Sequence, residues 1–251
     1  MRLLVKQYEA LVGYLESTPD RGVMFRYDRD YLASNKAHPL SRSLPLRDSP
    51  YSQAASMPFF SGLLPDGELR RRIASYLHIS ETSTFKLLDA LGGECAGTVS
   101  LLREGQEAEA IEPGYDELAA GQLEELIRNS ELRPLLAPTG GARLSLAGAQ
   151  DKIPLYHRDG RWFRPRGGAP SSHILKPASP VFPDLPANEY FSMRLAAALG
   201  IAVAPVELAE FGRPTLIVER YDRSRMPDGS IRRIHQEDSC QALGIMPEEK
   251  Y

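Results

Sequence analysis

The sequence predicts an α+β fold in two parts: an amino-terminal α/β subdomain, then a part in which an antiparallel sheet carries one helix. Three observations predict it. Short apolar runs with period-two alternation, bounded by Gly, Pro, Asn and Asp, recur in both parts, as half-buried strands require. One strong helical stretch, 187–199, closed by Gly200, lies between strand signals in the second part. Residues 104–112 are charged and lack a strong apolar pattern, so a boundary falls there.

In the first part, residues 3–8, 12–16 and 23–27 read as strands, with Gly13 a bulge or a point of close contact. Residues 28–51 are rich in Pro, Ser and Asn and read as loop with one or two short strands. Asp66-Gly67-Glu68-Leu69 opens a helix that runs to Leu77. A second helix covers 84–91, stopped by Gly92-Gly93, and 97–102 read as a strand. Residues 115–129 set Leu118, Leu123, Leu126 and Ile127 at helical intervals, and 134–141 read as a linker.

From Gly140 to Lys152 the chain is a small-residue loop. Strands follow at 153–157, around Trp162 and Phe163, and at 173–176, with Asp159-Gly160 as a hairpin turn. After the 187–199 helix, strands return at 206–210 and 215–219, and a last helix covers 236–243. The predicted domains are 1–103, a helical connector 104–140, and 141–251. The order loop–β–β–β–α–β–β in the last of these is the order of a protein-kinase small lobe, though many α+β domains share that periodicity.

Composition narrows the function classes. Of 251 residues, 42% are hydrophobic and 25% charged, ordinary values for a globular protein. A net charge of −3 and a pI near 6.0 do not favour a strongly basic nucleic-acid-binding face. The amino terminus contains Lys6 and Glu9 and makes a poor signal peptide. No stretch reaches the roughly 18–20 apolar residues of a membrane span. A soluble, cytoplasmic protein with no membrane partner is expected. Cys95 and Cys240 are far apart and read as reduced thiols. His38, His78, His157, His173 and His235 show no metal-ligand spacing, so no metal site is assigned. Arg70, Arg71 and Arg72 read as a solvated helix face rather than a binding patch.

Three segments can carry chemistry. A small-residue loop such as 145–152 can bring backbone N–H groups against phosphate oxygens, but by itself it reads first as an ordinary turn. It is neither a Walker A loop nor the three-glycine loop of common kinases. Lys176 ends an apolar strand, where a kinase lysine would hold nucleotide phosphates in partnership with a helix glutamate. Glu189 stands near the start of the next helix. Val218-Glu219-Arg220-Tyr221-Asp222 runs off a strand into polar residues plus an aromatic, which suits a nucleotide hinge or a plain strand end. Their order and spacing together favour the nucleotide reading.

The segment Ser145-Leu146-Ala147-Gly148-Ala149-Gln150-Asp151-Lys152 closely resembles the phosphate loop of HipA-type serine/threonine kinases, toxins of bacterial toxin–antitoxin pairs. The same resemblance extends to His173-Ile174-Leu175-Lys176, Asn188-Glu189-Tyr190, Val218-Glu219-Arg220-Tyr221-Asp222-Arg223 and Gln236-Glu237-Asp238. It includes Phe59-Phe60-Ser61-Gly62-Leu63-Leu64-Pro65-Asp66-Gly67 and Leu91-Gly92-Gly93-Glu94-Cys95-Ala96-Gly97 in the first part, and so covers nearly the whole chain. It implies that Ala147, Gly148, Ala149, Gln150, Asp151 and Lys152 contact ATP phosphates and that Lys176 holds them with Glu189 as its ion-pair partner. Glu219 and Tyr221 would lie at the adenine hinge with Arg220 between them. Ser145 matches the family's autophosphorylation serine, where a phosphate adding about −1.5 to −2 charge would repel ATP.

The family's cofactors are ATP and Mg²⁺. Its usual partner is a small helix-turn-helix antitoxin, HipB-like, that binds operator DNA. Its substrates include a protein of the aminoacyl-tRNA synthetase class. The family's catalytic Asp-x-x-x-x-Asn and metal aspartate lie in a large lobe beyond the Gln-Glu-Asp segment, and no equivalent occurs in these residues. Asn35 alone follows an aspartate, Asp30, at that spacing, far ahead of the nucleotide loop. The expectation is therefore a truncated, incomplete kinase fold with no catalytic residue, inactive and weak for ATP alone. The alternative is a non-catalytic binding module that pairs with a separately encoded large lobe or with the antitoxin. Direct nucleic-acid contact is not expected.

Overall fold

In the computed structural model, described over residues 1–8, 10–105, 112–130, 148 and 150–250, the chain forms two compact units. The first takes the described residues of Met1–Ile111, Arg143–Ala149 and Arg233–Tyr251. The second takes those of Glu112–Ala142 and Gln150–Arg232. The sequence-based boundaries run differently at the carboxy-terminal end, where residues from 233 onward pack within the first unit.

The first unit is built on a four-stranded antiparallel sheet of β1 (Arg2–Gln7), β2 (Ala10–Ser17), β3 (Val23–Tyr27) and β4 (Val99–Arg103), in the order β3-β2-β1-β4. Alternating Leu3, Val5, Leu15, Phe25 and Leu101 are completely buried, which is why these segments are strands. The register slips between Val5↔Gly13 and Lys6↔Leu11, a bulge at the expected glycine. A Cβ on Gly13 would lie 2.2 Å from the Arg26 carbonyl oxygen and 2.7 Å from the Phe25 ring, so no other residue fits there unaltered.

Helices α1 (Arg29–Ala33), α2 (Gln53–Ser61), α3 (Gly67–Tyr76) and α4 (Thr84–Leu91) complete this unit. The sequence pattern hides α2. Its first turn is small and polar, and Pro58 sits inside it, denying one ladder hydrogen bond. Burial compensates, since Phe59 and Phe60 are wholly inside, 5.2 Å apart, and Phe60 also meets Phe25 at 5.4 Å. The Phe-Phe-Ser-Gly-Leu-Leu-Pro block is thus core packing. Arg70, expected on a solvated face, instead bonds the Glu81 carbonyl oxygen, Ser61 and Thr84.

The second unit is a six-stranded antiparallel sheet ordered β5-β7-β6-β8-β10-β9. Its strands are β5 (Gly114–Leu118), β6 (Ile153–Arg158), β7 (Arg161–Arg166), β8 (His173–Pro177), β9 (Val206–Glu210) and β10 (Pro214–Glu219). Helix α5 (Ala120–Arg128) lies against one face, where Leu123 and Ile127 join Ile153, Leu155, Leu175 and Ile217 in a core. The helical reading of 115–129 is corrected in its first turn. Residues 114–118 are β5, because they pair along β7 from Gly114↔Arg166 to Leu118↔Trp162, with Asp116 and Glu117 also in exposed ion pairs with Arg166 and Arg161. The Gln122 side chain then caps the start of α5 by accepting from the Ala119 N–H. The long helix is α6 (Leu185–Ala198), and a short hairpin joins β11 (Arg223–Arg225) to β12 (Ile231–Arg233).

Helix α7 (Ser239–Leu243) closes the first unit. It is shorter than the 236–243 pattern suggests, because Asp238 is its N-cap and exchanges a capping box with Gln241. Gln236 and Glu237 precede the helix. The Glu237 carboxylate accepts from the Ser41 hydroxyl at 2.5 Å and the Arg42 N–H at 3.2 Å, while the Gln241 amide donates to the Phe59 carbonyl oxygen. The Gln-Glu-Asp segment is thereby bonded to the loop at 41–42 through Glu237, and α7 is bonded to α2 through Gln241.

Candidate nucleotide site

Lys176 and Glu189 are brought together by the second unit. Along β8, alternate side chains point to opposite faces, so Leu175 enters the α5 core and Lys176 faces the other way. Helix α6 lies against β9 and β10 and offers Glu189 from its second turn. The Lys176 Nζ donates to the Glu189 Oε1 at 2.5 Å, with side chains only 16% and 27% exposed. A cation is therefore held in a fixed direction, largely out of water, at the end of a sheet strand. Such a group can neutralise phosphate oxygens.

Gln150, Asp151 and Lys152 enter the same unit just before β6. The first residue of β6, Ile153, pairs with Leu175, so these three residues reach the sheet beside the end of β8 that bears Lys176. Buried within its surroundings, the Gln150 amide nitrogen has no hydrogen-bond partner among the described residues. A buried donor left so is costly unless something accepts from it. Gly148 belongs to the first unit, where it bridges to Pro65 and its carbonyl accepts from the Asp66 N–H at 3.4 Å. Ser145, Ala147 and Ala149 lie outside the described residues.

The predicted hinge sits at the end of β10. Glu219 is exposed, its N–H donating to the Pro205 carbonyl oxygen. Tyr221 is 71% exposed. Arg220, between them, points inward. Its guanidinium grips the Asp222 carboxylate at 2.9 and 2.7 Å and donates to the Ser171 hydroxyl at 2.8 Å. Arg223 adds a bond to Asp222 at 2.8 Å and one to the Ser171 carbonyl oxygen at 3.2 Å. Asp222, Arg223 and Ser171 carry no individual signal in the sequence. An Arg-x-Asp-Arg run directly after a strand was the available signal.

On the α5 side of the sheet, the His157, Trp162 and His173 rings cluster, with centroids 4.4 to 5.5 Å apart. Burial pushes His173 down to about 4, helped by neighbouring His157 and Arg225, so this cluster is neutral near pH 7. Helix α6 and its C-cap present Phe191, Leu195 and Leu199, four residues apart, as exposed apolar side chains. Among the described residues no group of three His, Cys, Asp or Glu could hold a metal ion. No helix among them is long and apolar enough to cross a membrane.

Residues 3–102 match the HipA N-terminal domain and residues 144–251 match the HipA-like C-terminal domain. The putative kinase Y4mE of Sinorhizobium fredii is 46% identical over 246 residues, covering 96% of this chain and 59% of that protein. The serine/threonine-protein kinase toxin HipA of Shewanella oneidensis is 34% identical over 227 residues, covering 90% and 51%. A solved complex of HipA, HipB and operator DNA from Shewanella oneidensis MR-1 matches with a TM-score of 0.79 and 29% identity, covering 99% of this chain and 57% of that one. The chain spans between about half and three-fifths of the length of these relatives. The expectation of no direct nucleic-acid contact gains no support, since the solved relative stands in an assembly with DNA.

Proposed function

The chain belongs to the HipA family, and on that premise we propose that it is the nucleotide-holding part of an ATP-dependent protein serine/threonine kinase of the toxin–antitoxin type. The observation that carries this reading is the Lys176–Glu189 pair. Its ammonium is fixed at the end of β8, where phosphates need a cation. The buried amide nitrogen of Gln150, without a hydrogen-bond partner among the described residues and on the segment that reaches the sheet beside β8, fits a phosphate acceptor.

In this proposal Lys176 neutralises phosphate oxygens, and Gln150, Asp151 and Lys152 line the phosphates. Glu219 and Tyr221 receive the adenine. Bound ATP supplies the phosphoryl group that a serine or threonine hydroxyl of a protein substrate accepts. No described residue is assigned to Mg²⁺. Phosphorylation at Ser145 would place like charge on the loop that holds phosphates and weaken ATP. A HipB-like antitoxin is the proposed partner, supported by the assembly of the solved relative. The exposed apolar residues of α6 favour a second reading, a non-catalytic module whose work is to pair with a separate large lobe or with the antitoxin.

Titration with a fluorescent ATP analogue tests the proposal. Wild type should bind, and Lys176→Met should lower affinity about tenfold or more, the loss of one charge-assisted phosphate contact. Equal binding by both proteins would refute it. Phosphoryl transfer that appears only on mixing with a large-lobe chain would favour the second reading.

A further inference from the structure

We infer that Arg220, Asp222 and Arg223 are positioning residues that act through Tyr221, holding the hinge turn in one conformation so that its aromatic ring is presented to the adenine base. The inference rests on the nucleotide reading above and assigns a role to residues that reading leaves without contact.

The turn has an inverted burial pattern. Arg220 and Asp222 are 4% and 3% exposed, while the tyrosine between them is 71% exposed. A strand end in solvent would show the reverse, with charges outside and the ring inside. Here two guanidiniums converge on one carboxylate. The Arg220 fork is bidentate, and Arg223 Nη1 bonds both the Asp222 carboxylate, at 2.8 Å, and the Asp222 carbonyl oxygen, at 2.9 Å. Both arginines also reach Ser171, through its hydroxyl and its carbonyl oxygen.

The backbone is tied down at the same place. The Arg220 N–H donates to the Ser172 carbonyl oxygen at 2.9 Å, and the Arg223 N–H closes the turn onto the Arg220 carbonyl oxygen at 3.3 Å. Ser172 in turn accepts from the His157 N–H at 2.9 Å, which links the turn to β6. Planar bidentate pairs fix orientation as well as distance, which a single lysine contact cannot do. The ring of Tyr221 is thus mounted on a buried, multiply bonded base. A stacking surface fixed before the ligand arrives loses less freedom on binding.

The test uses the full chain and two probes, adenosine and inorganic tripolyphosphate, titrated separately. Wild type should bind both. Arg220→Lys keeps the charge and loses the fork. It should weaken adenosine roughly tenfold and leave tripolyphosphate within about twofold. Lys176→Met should do the opposite. Because Arg220 acts through Tyr221, adding Arg220→Lys to Tyr221→Ala should cause no further loss of adenosine. Ser171→Ala removes one contact and keeps the Arg220–Asp222 pair. It is the second variant if Arg220→Lys does not fold, and a smaller selective loss is expected.

Equal loss of both probes, additive effects in the double variant, or unchanged adenosine binding would overturn the positioning role. Failure of wild type to bind either probe would instead overturn the nucleotide reading itself, and the inference with it.

Discussion

Exchanging Lys176 for Met and Glu189 for Gln, singly and together, tests the central ion pair in the absence of any ligand. An ion pair on an open surface contributes about 0–1 kcal/mol. Removing one member of a fully buried pair costs about 3–5 kcal/mol, because the other charge is stranded. With side chains 16% and 27% exposed, this pair lies between those limits. Each single change should therefore destabilise the protein by about 1–2 kcal/mol. The double variant strands no charge and should cost less than the sum, leaving a coupling of about 1–2 kcal/mol. Thermal unfolding followed by Trp162 fluorescence reads this out, at about 2–4 °C per kcal/mol for a chain of this size. Stability should recover in part in the double variant, while phosphate binding stays lost, since the cation itself is gone. Strictly additive single effects would show that the 2.5 Å contact is energetically idle, and the reasoning that β8 and α6 fix the ammonium would fall.

Three further outcomes are expected. Gly13→Ala should lower the urea midpoint by an amount equivalent to about 1–3 kcal/mol, since its Cβ meets backbone at 2.2 Å, and an unchanged midpoint would contradict the bulge geometry. Glu237→Ala removes charge-assisted bonds to Ser41 and Arg42, worth about 1.5–3 kcal/mol each, so amide exchange at Arg42 should accelerate at least tenfold. His173 is held neutral by burial, with a folded pKa of about 4 against roughly 6.5 when unfolded. The unfolded chain binds the proton first. Stability should fall as pH drops from about 6.5 to about 4, by roughly 1–3 kcal/mol once residual exposure is allowed for, and level off below. His157 and His235, also lowered by burial, act in the same direction. In His173→Gln the slope should flatten, and a slope equal to wild type would count against this account.

Much of the fold was legible in the sequence because period-two burial and helical spacing are local properties. The strands at 23–27, 206–210 and 215–219 and the helix at 84–91 followed from such patterns, and Gly13 announced its bulge. Helix α2 was not legible. Pro58 and a polar first turn contradict its local signal, and only the burial of Phe59 and Phe60 against Phe25 stabilises it. Strand β5 was read as helix because Leu118, Leu123, Leu126 and Ile127 share a helical interval, while the partner that makes 114–118 a strand, β7, lies some fifty residues away.

For the site, the sequence by itself determined the residue types and their order: a small-residue loop, a lysine ending an apolar strand, a glutamate on the following helix and an aromatic just past a later strand. Motif chemistry survives in linear order because strand, helix and strand follow one another without interruption. Only the tertiary structure decided which of these side chains meet. It joined Lys176 to Glu189 across thirteen positions, turned Arg220 inward onto Asp222 and Ser171, and left Tyr221 outside. It also bonded Glu237 and Gln241 to Ser41 and Phe59, nearly two hundred residues earlier in the chain. Hydrogen bonds and ion pairs depend on distances of a few ångströms and on exclusion of water. Neither is a property of sequence spacing, and both arise only once the sheets and helices have packed.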